Sequence, residues 1–364
     1  MRSLRVSAPG RICLFGEHQD YLKLPVITAA INLRIEIAGK QIPDRKISVH
    51  LPDIQSQESF LLPQNNEELS YDKERDYFKS VFNILRRRGF PLTIGCECRV
   101  RGNIPINSGT SSSSALAVAW TQFLIELNET PEETKPSARQ IAHLAYFAEV
   151  EEFAEPGGMM DHFASAVGGV LFQQFLTDVQ LTPLKQRLGA FVLGDSGQSK
   201  DTMKILKRVK FGVLEAVEKI KQIHPEFDLS IANLATVKTY RSLLSETQGE
   251  VLEGALMNRD ITREAKKMFD AAQLNHRDFG KLLKEHQQIL DKKLGISTLK
   301  INLMLRKALD AGAYGGKING SGGGGCMFAY APEQPEKVAA AIEQAGGKAY
   351  IIRVDRGLEV KKEL

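Results

Sequence analysis

A run of small residues, most of them carrying a hydroxyl group, stands directly before an apolar, helix-forming segment, Ala115–Trp120. The members of this run are Ser108, Gly109, Thr110, Ser111, Ser112, Ser113 and Ser114. The free backbone N–H groups and the positive dipole end at a helix start favour an anion, and a glycine lets backbone approach a phosphate closely. The hydroxyls add donors, and one of them could hold Mg²⁺. Because a single serine suffices as an N-cap, both a phosphate loop and a capped surface loop remain open on these residues alone.

A second glycine-rich stretch runs from Gly315 to Cys326. Gly320, Gly322 and Gly325 satisfy the pattern G-x-G-x-x-G, but a strand follows where a dinucleotide fold needs a helix, and the expected acidic residue is missing. The residues instead predict a hairpin of two strands with a glycine loop. So many glycines cost conformational entropy on folding. We therefore expect a ligand or another backbone to pass very close, with a merely flexible hairpin as the alternative.

Four polar side chains crowd the turn between Gly10 and Tyr21, and they are Arg11, Glu17, His18 and Asp20. Carboxylates and an imidazole in one turn can hydrogen-bond adjacent hydroxyl groups, as binding of a polyol requires. A solvated turn is the alternative. Metal binding is disfavoured, because these side chains do not follow a known ligand spacing.

A further group of candidates lies between residues 149 and 165. Asp161 follows a Pro-Gly-Gly turn that contains Gly158, and it begins an apolar segment. By itself, such an aspartate could be no more than a helix N-cap. Glu149 and Glu152 are three residues apart, so helical spacing would put both carboxylates on one face.

The elements that must position these residues are strands in some regions and helices in others, which predicts an α+β class. A helix over Asp76–Arg88 follows from its apolar spacing, and Ser137 with Gln140 forms a capping box. The chain from about Thr202 to Ala311 is predicted to be mostly helical. A composition shift near residue 185 suggests two domains, 1–187 and 188–364. Strands are predicted at Arg5–Ser7, Arg11–Phe15, Arg34–Ala38, Lys46–His50, Thr93–Val100, Ala190–Gly194, Lys317–Asn319, Met327–Tyr330 and Tyr350–Val354.

The composition is that of a soluble globular protein, with 364 residues, 43% hydrophobic residues and 25% charged residues. The net charge of +4 comes without a basic stripe or interleaved aromatics, so nucleic acid is not an expected partner. The apolar stretches are too short to span a membrane, and the N-terminus lacks a signal-peptide core. The four cysteines form no C-x-x-C pair. A reducing, cytoplasmic location is therefore expected.

Taken in order along the chain, these segments resemble the GHMP kinase family, and most nearly its galactokinases. The resemblance covers most of the chain. It rests on Gly10-Arg11 through Gly16-Glu17-His18-Gln19-Asp20-Tyr21, on the serine run, on Met160-Asp161-His162-Phe163, on the glycine hairpin and on Phe279–Ser297.

The resemblance implies a two-domain fold with the active site in the interdomain cleft, and an ATP-dependent transfer of the γ-phosphoryl group to a sugar hydroxyl, foremost the anomeric 1-OH of galactose or a related sugar. On the nucleotide side, Ser108–Ser114 would wrap the ATP phosphates with Gly322 and Gly323 of the hairpin, and Ser112 and Glu149 would hold Mg²⁺. On the acceptor side, Asp161 would lie beside the accepting hydroxyl and Arg11 beside Asp161. The residues expected to bind the sugar are Glu17, His18, Asp20 and Gly158.

The sequence also departs from the galactokinase pattern. Gln19 stands where galactokinases carry Thr, His162 where they carry Gln, and the hairpin lacks their Arg and Phe. Another sugar, a uronic acid, a heptose phosphate or mevalonate therefore stays open as the acceptor. A non-catalytic sensor of sugar and ATP, or a decarboxylating enzyme of the same superfamily, is the alternative from another class. The sequence does not give the oligomeric state.

Overall fold

The computed structural model describes residues 2–64, 67–105, 109–199 and 202–363. The strands are β1 Ser3–Phe15, β2 Val26–Ile42, β3 Lys46–Leu51, β4 Ser56–Leu61, β5 Gly95–Gly102, β6 Val170–Phe175, β7 Val179–Pro183, β8 Phe191–Asp195, β9 Gly315–Ile318, β10 Cys326–Tyr330, β11 Lys348–Ile352 and β12 Glu359–Glu363. The helices are α1 Tyr77–Arg87, α2 Ser112–Leu127, α3 Ala138–Tyr146, α4 Met160–Val167, α5 Thr202–Lys221, α6 Leu234–Thr239, α7 Glu246–Asp270, α8 His276–Lys292, α9 Leu299–Asp310 and α10 Pro335–Gln344.

Among the described residues, eight strands form the first sheet, in the order β12-β1-β2-β5-β3-β4, with β6 on β2 and β7 on β6. All its pairs are antiparallel except β3 with β5. The two strands predicted at Arg5–Ser7 and Arg11–Phe15 form one strand, β1. Its register with β2 shifts between Pro9 and Arg11. The irregularity accommodates the Pro-Gly pair inside a continuous strand, because proline is tolerated in a sheet at a bulge.

Helices α2 and α4 pack on the first sheet, and α1 and α3 pack against α2. Helix α2, which the serine run precedes, packs on β1 and β2 and against α1, α3 and α4. It is buried nearly all round, which explains why its sequence is apolar on every face. The prediction of a helix at Asp76–Arg88 is confirmed by α1. The predicted capping box at Ser137 and Gln140 is confirmed at the start of α3.

A second, four-stranded sheet within the described chain has the order β11-β8-β10-β9, and all its pairs are antiparallel. Helices α9 and α10 pack on it, and α8 packs along β9. Helices α5 to α9 confirm the predicted helical region. None of the helices in the described part of the chain combines the length and the apolarity that crossing a bilayer demands.

The predicted domain boundary, between residues 187 and 188, falls in the segment of chain that connects the two sheets. Strand β7 of the first sheet ends at Pro183, and β8 of the second begins at Phe191. The last strand does not follow that division. Strand β12 pairs with β1, from Ser3 opposite Glu363 to Ser7 opposite Glu359. The two halves of the chain are therefore joined by backbone pairing as well as by packing.

Candidate active site

A cavity of about 390 Å³ collects most of the residues that the sequence singled out. Strand β1, the turn after it, the start of α2, the segment before α4 and the β9–β10 hairpin all contribute to its wall. The predicted site residues that line it are Arg11, His18, Asp20, Gly109, Ser111, Ser112, Ser113, Ser114, Glu149, Gly158 and Asp161. Ser108 lies outside the described residues, and the other predicted residues are treated below.

The strongest polar contact in the cavity joins Arg11 to Asp161. The Nε and NH2 groups of Arg11 donate to the two carboxylate oxygens of Asp161, each at 2.7 Å. The Ser111 hydroxyl donates to the same carboxylate at 2.6 Å. Burial alone would raise the pKa of Asp161, but the charge of Arg11 and these hydrogen bonds hold that pKa below its ordinary value. Asp161 is therefore an ionised carboxylate whose orientation is fixed.

The serine run places its backbone against this pair. Gly109 has a φ of +88°, and its carbonyl oxygen accepts from Arg11 NH1 at 2.6 Å. Ser111 occupies the N-cap position of α2 in the left-handed region, yet its side chain makes no capping hydrogen bond and binds Asp161 instead. A capping role therefore does not explain why a serine stands at position 111. The N-terminal N–H groups of α2 remain for an anion.

Thr110 contributes through its backbone and not through the cavity wall. Its side chain is buried, and its carbonyl oxygen accepts from the Arg11 N–H at 3.2 Å. This contact fixes the serine run to β1 just where β1 carries Arg11. Thr110 was predicted to contact the nucleotide, but it is not among the residues that line the cavity.

Asp20 and Gly158 form one part of the wall together. The carboxylate of Asp20 accepts from the N–H groups of Tyr21 at 3.0 Å and Met160 at 3.1 Å. A Cβ built on Gly158 would overlap that carboxylate, so only glycine fits there. Burial and the nearby charge of Asp161 raise the pKa of Asp20 to about 6, although the two backbone N–H groups oppose the shift.

His18 lies beside Asp20, and both of its ring nitrogens have partners. Nδ1 is 2.6 Å from the Tyr21 hydroxyl oxygen, and Nε2 is 3.0 Å from the Ser321 carbonyl oxygen. His18 therefore connects the turn after β1 to the loop of the β9–β10 hairpin.

Glu17 does not reach the cavity, which contradicts its prediction as a sugar contact. Its side chain is fully buried and forms an ion pair with Lys317 on β9. His286 of α8 lies on the other side, with its Nε2 at 3.8 Å from Glu17 Oε2. The physical reason is that adjacent residues of a turn face different ways, so that His18 faces the cavity and Glu17 the second sheet. Glu17 joins the turn to β9.

Glu149 and Glu152 do not share a face. The segment Phe147–Glu151 is a π-helical turn, which changes the angle between side chains three residues apart. Glu149 lines the cavity, and its Oε2 lies 2.6 Å from His162 Nε2. Glu152 instead pairs with Arg87 at 2.6 Å on the outer surface. Of the two carboxylates, only Glu149 is available to a metal in the cavity.

The hairpin touches the serine run at its first residues and not at Gly322 and Gly323. A Cβ on Gly320 would lie 2.8 Å from the Gly109 carbonyl oxygen, which confirms that another backbone passes very close. Gly322 and Gly323 pack against Ile296 and Ile205 and do not line the cavity, which contradicts their predicted contact with the nucleotide. Their positive φ angles are those of a tight turn, which glycine adopts without strain.

Several polar residues of the cavity wall were not among the predicted site residues: Tyr21, Arg75, Tyr77, Glu155 and Ser321. Arg75 Nε lies 2.5 Å from Glu155 Oε1. Asn319, next to the cavity, was also missed. Its Nδ2 donates to the Gly109 carbonyl at 2.8 Å, and its Oδ1 accepts from the Cys13 N–H at 2.9 Å. Tyr21, Glu155, Asn319 and Ser321 lie inside stretches that the sequence had marked, whereas Arg75 and Tyr77 lie outside them.

The chain matches known families in three stretches. Residues 76–169 match the GHMP kinases N terminal domain, and residues 268–348 match GHMP kinases C terminal. Residues 2–41 match the galactokinase galactose-binding signature.

Curated relatives match along nearly the whole chain. The mevalonate kinase of Thermococcus gammatolerans is 30% identical, over 98% of this chain and 98% of its own. The galactokinase of Mannheimia succiniciproducens is 28% identical, over 93% of this chain and 88% of its own.

Solved structures share the fold. A galactokinase of Lactococcus lactis complexed with galactose superposes with a TM-score of 0.83 at 21% identity, covering 98% of this chain and 95% of that one. The mevalonate kinase of Methanococcus jannaschii superposes with a TM-score of 0.71 at 19% identity, covering 97% and 98%. With its cavity, its three matched stretches and this two-domain fold, the chain belongs to the GHMP kinase family of ATP-dependent kinases with alcohol acceptors, as a galactokinase-like member.

Proposed function

We propose that this chain transfers the γ-phosphoryl group of ATP to a sugar hydroxyl, foremost the anomeric 1-OH of galactose or a related sugar. The observation that carries the proposal is the shared cavity of three groups: the serine run, the fixed carboxylate of Asp161, and the polar wall around Asp20. A phosphoryl donor and a polyol acceptor need those three groups side by side.

The donor side of the site uses the start of α2. Ser112, Ser113 and Ser114 line the cavity where the first N–H groups of the helix lack partners within the helix. Those donors and the helix dipole would bind the phosphates of ATP. The glycine hairpin would support this loop from behind through Gly320 and Asn319.

The residues at this end suit Mg²⁺. The Glu149 carboxylate and the Ser112 hydroxyl both line the cavity, and oxygen donors are what Mg²⁺ prefers. No group of three or more His, Cys, Asp or Glu side chains in the described chain could hold a metal. Ser112 and Glu149 would therefore hold Mg²⁺ together with phosphate oxygens and water, as is usual for this ion. Bound there, it would neutralise phosphate charge.

Asp161 would orient the accepting hydroxyl and take its proton as the new bond forms. Its low pKa makes it a weak base, so prior removal of the proton is disfavoured. Orientation is its main contribution, because phosphoryl transfer passes through a loose transition state that depends on positioning and charge. Arg11 would keep the carboxylate aimed at the hydroxyl and lie close to the transferring group.

The charges of the cavity favour a neutral acceptor. Both arginines in its described lining are already paired, Arg11 with Asp161 and Arg75 with Glu155. An acceptor with a carboxylate or phosphate would meet Asp20 and Asp161 without an uncommitted arginine to offset their charge. A sugar with several free hydroxyls fits this wall better than mevalonate does. The match to the galactose-binding signature supports the same choice.

A coupled assay for ADP release tests the proposal over a panel of acceptors. The panel contains galactose, other hexoses, a pentose, galacturonic acid, a heptose 7-phosphate and mevalonate. We expect the highest kcat/KM with galactose or a close stereoisomer. Mevalonate is the second candidate, because mevalonate kinases match this chain over nearly its full length. A preference for mevalonate would overturn the sugar assignment, and ATP binding without ADP release from any acceptor would indicate a sensor.

A further inference from the structure

The two hydrogen bonds of His18 determine which of its nitrogens carries the proton. The partner of Nε2, at 3.0 Å, is the carbonyl oxygen of Ser321, which can only accept a hydrogen bond. Nε2 must therefore carry the hydrogen, because a lone pair there would face the lone pairs of the carbonyl. In the neutral imidazole, Nδ1 is then an acceptor without a hydrogen.

The same reasoning fixes the hydroxyl of Tyr21. It lies 2.6 Å from Nδ1 and must donate its only hydrogen to it. The Tyr21 oxygen keeps its lone pairs, so toward the cavity it can accept a hydrogen bond but cannot donate one. His18, although it lines the cavity, has used both of its nitrogens within the protein.

We propose that Tyr21 contacts the acceptor substrate through its hydroxyl oxygen and thereby sets substrate specificity, and that His18 is a positioning residue that holds this oxygen in its accepting state. The inference rests on the proposed function and names two hydrogen-bond acceptors on residues of the same cavity wall, the Tyr21 oxygen and the Asp20 carboxylate. The substrate that fits them is a polyol that donates one hydroxyl hydrogen to each. A deoxy sugar lacking one of the two hydroxyls would fit poorly.

The surroundings of Tyr21 hold its ring and hydroxyl in place. Its backbone N–H donates to the Asp20 carboxylate at 3.0 Å, which ties the start of the side chain to the same wall. Lys210 Nζ lies 5.2 Å from the centre of the Tyr21 ring and binds the Pro156 carbonyl at 3.2 Å. Burial raises the pKa of Tyr21 well above its ordinary value, so the side chain remains a neutral phenol that can donate to His18.

Steady-state kinetics of Tyr21→Phe test the contact. Removing the oxygen leaves one substrate hydroxyl without its acceptor, and we expect the acceptor KM to rise about tenfold or more, with the KM for ATP unchanged and kcat changed by less than about threefold. Tyr240→Phe is the matched control, because Tyr240 stacks on His224 in a second histidine–tyrosine pair that does not line the cavity. A merely structural role of Tyr21 would lower kcat and weaken ATP binding as well, and that outcome would overturn the proposal.

Deoxy analogues of the preferred sugar identify the hydroxyl concerned. One analogue should be phosphorylated equally poorly by the wild type and by Tyr21→Phe, because the lost hydroxyl and the lost oxygen are two halves of one contact. If every analogue loses the same factor in both proteins, Tyr21 binds no hydroxyl.

The protonation state of His18 can be measured without any substrate. In ¹⁵N-labelled protein at pH 8, we expect Nε2 to have the chemical shift of a protonated nitrogen and Nδ1 that of an unprotonated one, and the Nδ1 signal to move in Tyr21→Phe. Protonation at Nδ1 would overturn the inference even if the chain is a sugar kinase. If no sugar is phosphorylated but the ¹⁵N shifts are as expected, the proposed function fails while the accepting state of the Tyr21 oxygen stands.

Discussion

Arg11 binds both carboxylate oxygens of Asp161, each at 2.7 Å, and with its third nitrogen it binds the carbonyl oxygen of Gly109 at 2.6 Å. One guanidinium group therefore sets the distance between the Asp161 carboxylate and the backbone of the serine run. A bidentate pair fixes orientation as well as distance. We propose that catalysis depends on that spacing.

Replacing the carboxylate tests its role directly. In Asp161→Asn, the amide can neither balance the charge of Arg11 nor take the proton of the acceptor, and we expect kcat to fall by about 100-fold to 10,000-fold. The affinity for ATP, measured by calorimetry, should change little. Asp291→Asn, on α8, serves as the control and should retain full activity. Near-normal turnover in Asp161→Asn would remove Asp161 from the mechanism.

The pH profile should report Asp20. We propose that its ionised form accepts hydrogen bonds from the acceptor; because its pKa is raised to about 6, that form is lost as the pH falls below this value. We expect kcat/KM for the acceptor to rise about tenfold between pH 5 and pH 7. Asp161 stays ionised over this range because its pKa is lowered. Asp20→Asn should have a lower kcat/KM at pH 7 and lack this rise, and a rise that persists would assign it to another group.

Two adjacent glycines provide a matched pair of variants. A Cβ at Gly158 would overlap the Asp20 carboxylate, whereas a Cβ at Gly157 would meet only Val150, at an ordinary 3.7 Å. Gly158→Ala should therefore displace Asp20 and raise the acceptor KM about tenfold or more. Gly157→Ala should leave the acceptor KM within about twofold of the wild-type value. Equal effects in the two variants would mean that the wall tolerates a methyl group at either place.

Asn319 should couple stability to activity. In Asn319→Leu, the buried Cys13 N–H loses its partner, which should cost about 1–3 kcal/mol in the free energy of unfolding. The Gly109 carbonyl loses a donor as well, so kcat should fall together with ATP affinity. Asn128→Leu removes a comparable buried bridge, to the N–H groups of Thr93 and Ile94, away from the cavity. The Asn128→Leu variant should be destabilised but keep an unchanged kcat. A kcat lowered equally in both variants would contradict a specific role for Asn319.

Glu17 should behave as a structural residue. Glu17→Gln leaves Lys317 buried without a counter-charge, and we expect a loss of about 3–5 kcal/mol in the free energy of unfolding by denaturant titration. The acceptor KM of the folded fraction should stay within about twofold of the wild type. A large change in that KM with little loss of stability would restore Glu17 as a sugar contact.

The motifs predicted which segments meet at the cavity, because each carries polar residues or glycines beyond what its local structure needs. They did not predict which side chains face it. Glu17 and His18 are neighbours in sequence, yet Glu17 turns inward to residues that are distant in sequence, Lys317 above all. Helical spacing failed for Glu149 and Glu152, because the turn between them is π-helical and no residue pattern marks it.

The sequence predicted helices where its apolar pattern is periodic or its capping residues are clear, as in α1 and α3. It did not predict a strand whose only partner is distant in sequence. Strand β12 has the sequence Glu-Val-Lys-Lys-Glu, in which valine is the single apolar residue. It forms because the edge of β1 offers unpaired backbone groups, and Val360 pairs opposite Val6. A partner more than 350 residues away leaves no local signal in either segment.

We propose above all that Asp161 directs the γ-phosphoryl group of ATP onto a sugar hydroxyl. The most direct test follows the product of ATP and galactose by ³¹P nuclear magnetic resonance, with wild type and Asp161→Asn side by side. We expect one equivalent of sugar phosphate for each ADP from the wild type, with the phosphorus coupled to the anomeric proton, and almost none from Asp161→Asn. ADP without a sugar phosphate, or equal product from both proteins, would contradict it.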